Sequence, residues 1–245
     1  MPAPRRRRPE PAPAAGPQVL YGRNAVHEAL RGPRAVKQVW ATERAAREAW
    51  LRGVAVRTAN AEEIERRCGS PDHQGMCAEV SEYRYADAAE LLVRDDALIV
   101  ALDEIQDPQN LGAICRTAEC AGATGVVIPE RRSAEVTPAV CKASAGAVEH
   151  LAIARVRNLA DFLLAAGRAG AWSYGAAGDA RTDYAQPDYR GKVVLVMGSE
   201  GSGLRARVAS SCDELIALPL RGRIESLNVS AAAAALLYEI TRQRG

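Results

Sequence analysis

Apolar positions along the first third of the chain change period several times, and each change marks an element. Tyr21–Leu30 places Ala25, Val26, Ala29 and Leu30 on one helical face, because residues three and four apart share a side of a helix. Val36–Trp40 alternates as a half-buried strand does, Glu43–Arg52 returns to a helical period, and Val54–Val56 is short and β-branched. Asn60 followed by Glu62 and Glu63 reads as an N-cap with an acidic first turn, opening a helix that runs to Arg67. Met76–Val80 is a last strand, so residues 18–83 read as a small α/β unit of alternating strands and helices. Residues 84–96 read as a linker, partly helical at Ala86–Leu92.

Beyond the linker the units lengthen. Ala97–Leu102 is an unbroken apolar run, as expected of a strand buried on both faces of a parallel sheet. Gly125–Ile128, Leu151–Val156, Trp172–Tyr174, Val193–Met197 and Glu214–Leu218 read as further strands. Asn110–Ala121, Pro138–Ala147, Leu159–Ala169 and Leu227–Arg242 read as helices. Strands alternating with helices predict a parallel sheet covered by helices over residues 97–245, hence two α/β domains with the chemistry in the second.

Charge changes this picture only at one end. The 245 residues carry a formal net charge of +2, but residues 1–17 hold Arg5, Arg6, Arg7 and Arg8 against Glu10, leaving the other 228 residues at −1. The same stretch holds 6 of the 13 prolines and is read as a disordered basic arm, either an inert solubilising tail or a segment that touches RNA. Charge alone therefore does not mark the body as nucleic-acid binding. With aromatic residues at 4%, base stacking is not its main resource either. Cys68, Cys77, Cys115, Cys120, Cys141 and Cys212 form no C-x-x-C pair and match no zinc or disulfide framework, so they are read as small buried thiols, with no metal. No signal-peptide pattern and no apolar run near ~20 residues occurs, which predicts a cytoplasmic protein with no membrane partner.

Three segments following apolar strands carry unusual residues, at the place where open α/β sheets bind ligands. In Asp107–Ala118, Asn110 and Arg116 lie six apart and do not share a helical stripe. Arg116 stands among Ile114, Cys115 and Ala118, and a guanidinium in apolar company needs an acceptor, either a structural salt bridge or a functional partner. In Val193–Leu204 a strand runs into Gly198-Ser199-Glu200-Gly201-Ser202-Gly203, where backbone can approach a ligand or simply turn tightly. It is neither the dinucleotide fingerprint nor a P-loop, it offers no lysine to a phosphate, and Glu200 would repel one. In Ile216–Ser230 a loop leads to Ser226 and Asn228, either of which suits an N-cap, and then to the Ala231–Ala235 run, which implies a close-packed helix.

Together, N-x-x-x-x-x-R-T-A at Asn110–Ala118, M-G-S-E-G-x-G-L at Met197–Leu204 and L-P-L-x-G-x-x-x-S-L-N-V-S at Leu218–Ser230 resemble the three signature motifs of the SpoU/TrmH family, the RNA ribose 2′-O-methyltransferases of the SPOUT class. The resemblance spans roughly residues 97–245. Residues 19–83, with Y-G-R-N-A-V-H-E-A-L and H-Q-G-M-C-A-E-V, resemble that family's L30e-like substrate-binding domain.

The resemblance implies a SPOUT domain with a C-terminal trefoil knot, a homodimer whose active site is completed across the interface, and S-adenosyl-L-methionine (SAM) as cofactor. By motif position, Gly198, Leu218 and Leu227 would surround SAM, while Asn110, Arg116, Glu200, Ser226 and Asn228 would form the catalytic constellation. The two-domain form implies 23S rRNA as partner, with a guanosine of the peptidyl-transferase loop as target. The alternatives are another rRNA or tRNA site, or a non-catalytic RNA-binding factor on the same fold. Because a guanidinium stays protonated near neutral pH, Arg116 is expected to grip a phosphate and polarise the 2′-hydroxyl rather than act as base, with Glu200 and Asn228 orienting it.

Overall fold

The computed structural model describes residues 17–199, 201–224 and 226–245, so the arginines of the arm and Glu200 lie outside the described residues. The first sheet contains β1 (Gln18–Tyr21), β2 (Val36–Ala41), β3 (Val56–Thr58) and β4 (Met76–Val80) in the order β1-β4-β2-β3, with only the β2–β3 pair parallel. Two helices, α1 (Arg23–Arg31) and α2 (Ala61–Cys68), accompany it. The Oδ1 of Asn60 accepts from the Glu63 amide at 2.8 Å, which is the predicted cap. Glu43–Arg52 does not form the predicted helix. It breaks into two short 3₁₀ turns, Ala45–Arg47 and Ala49–Leu51, whose buried residues Ala45 and Leu51 lie six apart and so off a single helical stripe. Within the linker the predicted helix contracts to a 3₁₀ turn at Glu90–Leu92, and Ala86 bridges to Ala154 of the second sheet.

The second sheet is parallel throughout its seven described strands: β5 (Leu98–Asp103), β6 (Gly125–Pro129), β7 (Ala152–Val156), β8 (Trp172–Ala176), β9 (Thr182–Asp183), β10 (Val193–Gly198) and β11 (Glu214–Ala217). Their order is β7-β6-β5-β10-β8-β11-β9. β5, β6 and β10 are buried at every position, the consequence of helices on both faces. The chain steps outward from β5 to β7, then crosses back to the other side of β10. The C-terminal ends of β5 and β10 therefore flank the point where the winding reverses.

Five helices serve this sheet: α3 (Pro108–Cys120), α4 (Pro138–Ala143), α5 (Leu159–Arg168), the short α6 (Ala206–Ala209) and α7 (Val229–Arg244). One continuous apolar cluster runs from Leu20, Val26 and Met76 beside the first sheet to Leu98, Val100 and Ile114 of the second, so the two halves share a core. A buried ion pair crosses the same junction. The Arg34 Nε donates to Glu149 Oε2 at 2.9 Å, its Nη2 contacts Oε1, and neither side chain is more than 4% exposed. Burial opposes the charge on Arg34, but the hydrogen bonds it donates to Glu149, together with the attraction of Glu149 and Cys141, outweigh burial and hold the guanidinium above its usual pKa.

Of the six cysteines, Cys77, Cys115 and Cys141 are buried, Cys68 and Cys212 half-buried, and Cys120 is exposed, which corrects the expectation for that residue. Burial pushes the Cys77 and Cys115 thiols up to about 12, so neither is a nucleophile near neutral pH.

Candidate active site

A cavity of about 300 Å³ opens at the C-terminal ends of β8, β10 and β11. Gly198 ends β10 and forms part of its wall, with Leu218 following β11 and Ser226 and Leu227 preceding α7. The described wall carries no charged side chain, since Ala176, Gly178, Met197, Ser199, Leu220 and Val229 make up most of the rest. Such a lining has nothing to neutralise a phosphate. It suits an uncharged aromatic group held by apolar contact and by backbone donors and acceptors.

The glycine-rich segment closes this cavity by turning on itself. Ser199 and Gly203 pair in an antiparallel bridge, with Ser199 N donating to Gly203 O at 3.1 Å and Gly203 N to Ser199 O at 3.0 Å. Gly201 and Gly203 sit at φ +83° and +63°, where a side chain is strained. A Cβ at Gly198 would lie 2.2 Å from the Gly203 carbonyl carbon and 2.4 Å from the Leu204 nitrogen. Of the two roles left open for this segment, the tight turn is present: the chain's own returning loop occupies the space beside Gly198, which also lines the cavity. Gly198→Val should consequently break the loop itself, lowering the thermal midpoint by several degrees as well as abolishing cofactor binding. Calorimetry and a melting curve on the same sample read both, and unchanged values for both would contradict the loop geometry.

The three motifs meet unequally. Asn110, 7% exposed in the first turn of α3, accepts at Oδ1 a hydrogen bond from Asn228 Nδ2 at 2.9 Å across 118 residues of sequence. Asn228 also caps α7, its Oδ1 accepting from the Ser230 amide at 2.9 Å and the Ala231 amide at 3.4 Å. The expected N-cap and a link between the first and third motifs are thus the same side chain. Ser226 lines the cavity and is exposed. Glu200 lies outside the described residues, although Ser199 and Gly201 on either side of it line the cavity.

Arg116 departs from its expectation. It is exposed on the face of α3 that also carries Gln109 and Cys120, turned away from Asn110, and it does not line the cavity. Its apolar sequence neighbours Cys115 and Ala118 point inward while it points out. Among the described residues no hydrogen bond or ion pair engages its side chain. The Ala231–Ala235 run is likewise only partly packed: Ala233 is buried, whereas Ala231, Ala235 and Tyr238 form an exposed stripe on α7.

Two contributors escaped the sequence reading. Asp103, 1% exposed at the end of β5, accepts from the Arg205 backbone and Nε, both at 2.8 Å, and so pins the chain just past the glycine loop. Ala176–Gly178, following β8, supply a wall of the cavity, and the only signal was a run of small residues after a strand.

Comparison with known proteins agrees with this layout. The profile of the SpoU rRNA Methylase family matches residues 97–238, and that of the RNA 2′-O ribose methyltransferase substrate-binding domain matches residues 19–86. An uncharacterized tRNA/rRNA methyltransferase of Synechocystis is 38% identical over 242 residues, 93% of this chain and 63% of the relative, so the chain spans less than two thirds of that protein. The 23S rRNA (guanosine-2′-O-)-methyltransferase RlmB of Xanthomonas campestris is 42% identical over 198 residues, 79% of this chain and 80% of the relative. Among solved structures, the SpoU methyltransferase AviRb of Streptomyces viridochromogenes in complex with AdoMet superposes with a TM-score of 0.79 at 26% identity, covering 94% of this chain and 91% of that one. With both profiles in place, three motifs at one sheet edge and a relative at 42% identity, the chain belongs to the SpoU/TrmH family of RNA methyltransferases.

Proposed function

We propose that this chain uses SAM to methylate a ribose 2′-oxygen of ribosomal RNA, with a guanosine of the peptidyl-transferase loop in 23S rRNA as the target. The observation that carries the reading is the uncharged cavity behind the glycine loop, joined through Asn228 to the first motif on α3. Its lining fits the uncharged nucleoside end of SAM, which backbone groups near Gly198, Leu218 and Leu227 would hold. When bound there, SAM supplies a methyl group on a positively charged sulfur, ready for transfer to an oxygen in line with the departing bond.

The protein's own task is to present the ribose and ease loss of its proton. Aligning the two reactants accounts for several kcal/mol of barrier in such reactions. Arg116, with no described partner of its own, is available to bind the phosphate beside the target ribose and to polarise the 2′-hydroxyl. Asn228, locked by its cap contacts, presents its amide at a fixed angle. Glu200 would add a carboxylate to orient the guanidinium.

Because Arg116 stands outside the cavity of its own chain, the reading includes a homodimer in which the α3 and α7 faces meet a second copy. The exposed Leu227 and Tyr238, at 49% and 54%, support such a face. Light scattering at micromolar concentration should then give twice 26.1 kDa, and a monomer would remove the interface. Tritium transfer from labelled SAM to total RNA tests the activity: label in 23S rRNA supports the reading, label in tRNA moves the substrate, and SAM binding with no transfer replaces an enzyme by a binding factor.

A further inference from the structure

A second cavity, of about 390 Å³, has a wall that includes Arg131, Arg132, Arg157, Arg205 and Arg207 with Glu104. These residues come from the C-terminal ends of β5, β6 and β7 and from the start of α6. We propose that this arginine cradle binds the phosphodiester backbone of the RNA substrate, a few nucleotides from the ribose presented at the Gly198 cavity. The inference rests on the reading of the chain as an RNA methyltransferase and extends it to a surface that none of the three motifs includes.

The cradle is held in place. The loop carrying Arg131 and Arg132 is tied to β5's exit by Ala134 N donating to Ile105 O at 2.8 Å and by the Ser133 hydroxyl donating to the same oxygen at 3.3 Å. Arg132 itself sits at φ +58°, a conformation that a side chain adopts only when its surroundings enforce it. Arg205 is anchored by the buried Asp103. The backbone that presents these side chains is therefore set before an anion arrives.

The charges are unequally committed. Arg205 is taken up by Asp103 and Glu104, at 2.6 and 3.1 Å, and Arg207 by Asp161 at 2.7 Å. Arg157 reaches Glu130 only at 4.0 Å with its side chain 91% exposed, and Arg132 reaches Glu104 only at 3.6 Å. Among the described residues Arg131 meets no carboxylate. Three guanidinium groups therefore face the cavity with weak claims on them. The N-terminus of α5 adds little, because Asn158 Oδ1 already accepts from the Ala160 and Asp161 amides at 3.0 and 3.3 Å.

Position selects RNA over another anion. Gly198 pairs in register with Asp103, so the wall of the uncharged cavity and the anchor of the cradle are neighbours on adjacent strands, roughly 5 Å apart. An extended strand whose ribose reaches the first would pass its phosphates over the second. A planar fork of donors suits phosphate oxygens.

The test is a double variant, Arg131→Ala with Arg157→Ala, in the full chain, compared with the parent for binding to 23S rRNA fragments across a salt series. The slope of log affinity against log salt should fall by roughly 0.7 per lost contact, about 1.4 in all. The KM for RNA should rise ten-fold or more while SAM affinity, kcat at saturating RNA and the melting temperature stay unchanged. An unchanged slope and KM would overturn the cradle, as would inorganic phosphate titrating these arginines while RNA affinity ignores their removal. A parent that binds RNA through the cradle yet transfers no methyl would instead sink the enzymatic reading and leave the cradle standing.

Discussion

Arg116→Ala should remove methyl transfer almost completely, by roughly 10²- to 10³-fold in kcat, while leaving SAM affinity within about three-fold. The separation of the two readouts follows from where the residue sits. Arg116 lines no part of the uncharged cavity, so its loss should not be felt by a cofactor held through Gly198, Leu218 and Leu227. It projects from α3 into solvent with no described partner, so folding should be indifferent as well: Ala is at least as good a helix former, and exposed substitutions away from special contacts stay within about 0.5 kcal/mol. What remains is a group the fold spends no interaction on, held at the protein's surface on the element that also carries Asn110. Arg116→Lys should rescue only weakly, because a point charge cannot grip two phosphate oxygens with a planar fork. Single-turnover transfer to rRNA beside isothermal calorimetry with SAM reads both quantities. Substantial turnover in the Ala variant would remove Arg116 from the reaction, and a collapse of SAM affinity would place it in the cofactor pocket instead.

The residue also shows where sequence reasoning stops. The apolar runs at Ala97–Leu102 and Val193–Met197 predict strands buried on both faces, and both are, because a period signal depends only on local pattern. Asn60 and Asn228 cap helices for a similarly local reason. The spacing of Leu111, Ile114, Cys115 and Ala118 puts those four on the buried face of α3 and Arg116 off it, whereas adjacency along the chain suggests apolar company for Arg116. The glycine pattern leaves Gly198 open between a tight turn and a ligand approach, and only the fold shows its contact with Gly203 and Leu204. Asp103 and Arg205 are 102 residues apart, and nothing around either advertises the other. The motifs were legible one at a time, but their meeting at Asn110 and Asn228 is a property of the fold.

The same limit applies to the division into halves. Residues 97–245 read as a domain of their own in the sequence, yet the ion pair between Arg34 and Glu149 ties that domain to its neighbour. The Glu149 side chain is fully enclosed, and the Arg34 guanidinium is its partner through two contacts. Arg34 further donates to Gln18 Oε1 at 3.1 Å and lies 5.5 Å from the centre of the Tyr83 ring. Tyr83 in turn donates its hydroxyl to the Val148 and Leu151 carbonyls, both at 3.3 Å, from the second half. Removing one member of a buried pair costs about 3–5 kcal/mol, because the other is left charged without water. Arg34→Ala should therefore lower the melting temperature by roughly 10 °C in a chain of this size. Replacing both members with apolar residues of similar volume, Arg34→Met with Glu149→Leu, should recover most of that loss, which a contact of merely steric value would not do. A fragment of residues 96–245 suffers the same stranded carboxylate and also exposes the apolar surface shared with Leu20, Val26 and Met76. It should be poorly soluble, or unfold well below the full chain, and its affinity for SAM should suffer through instability rather than through lost contacts. Differential scanning calorimetry of the full chain, the two variants and the fragment checks all of this. A fragment that melts cooperatively at the parent's temperature would show the junction to be energetically idle.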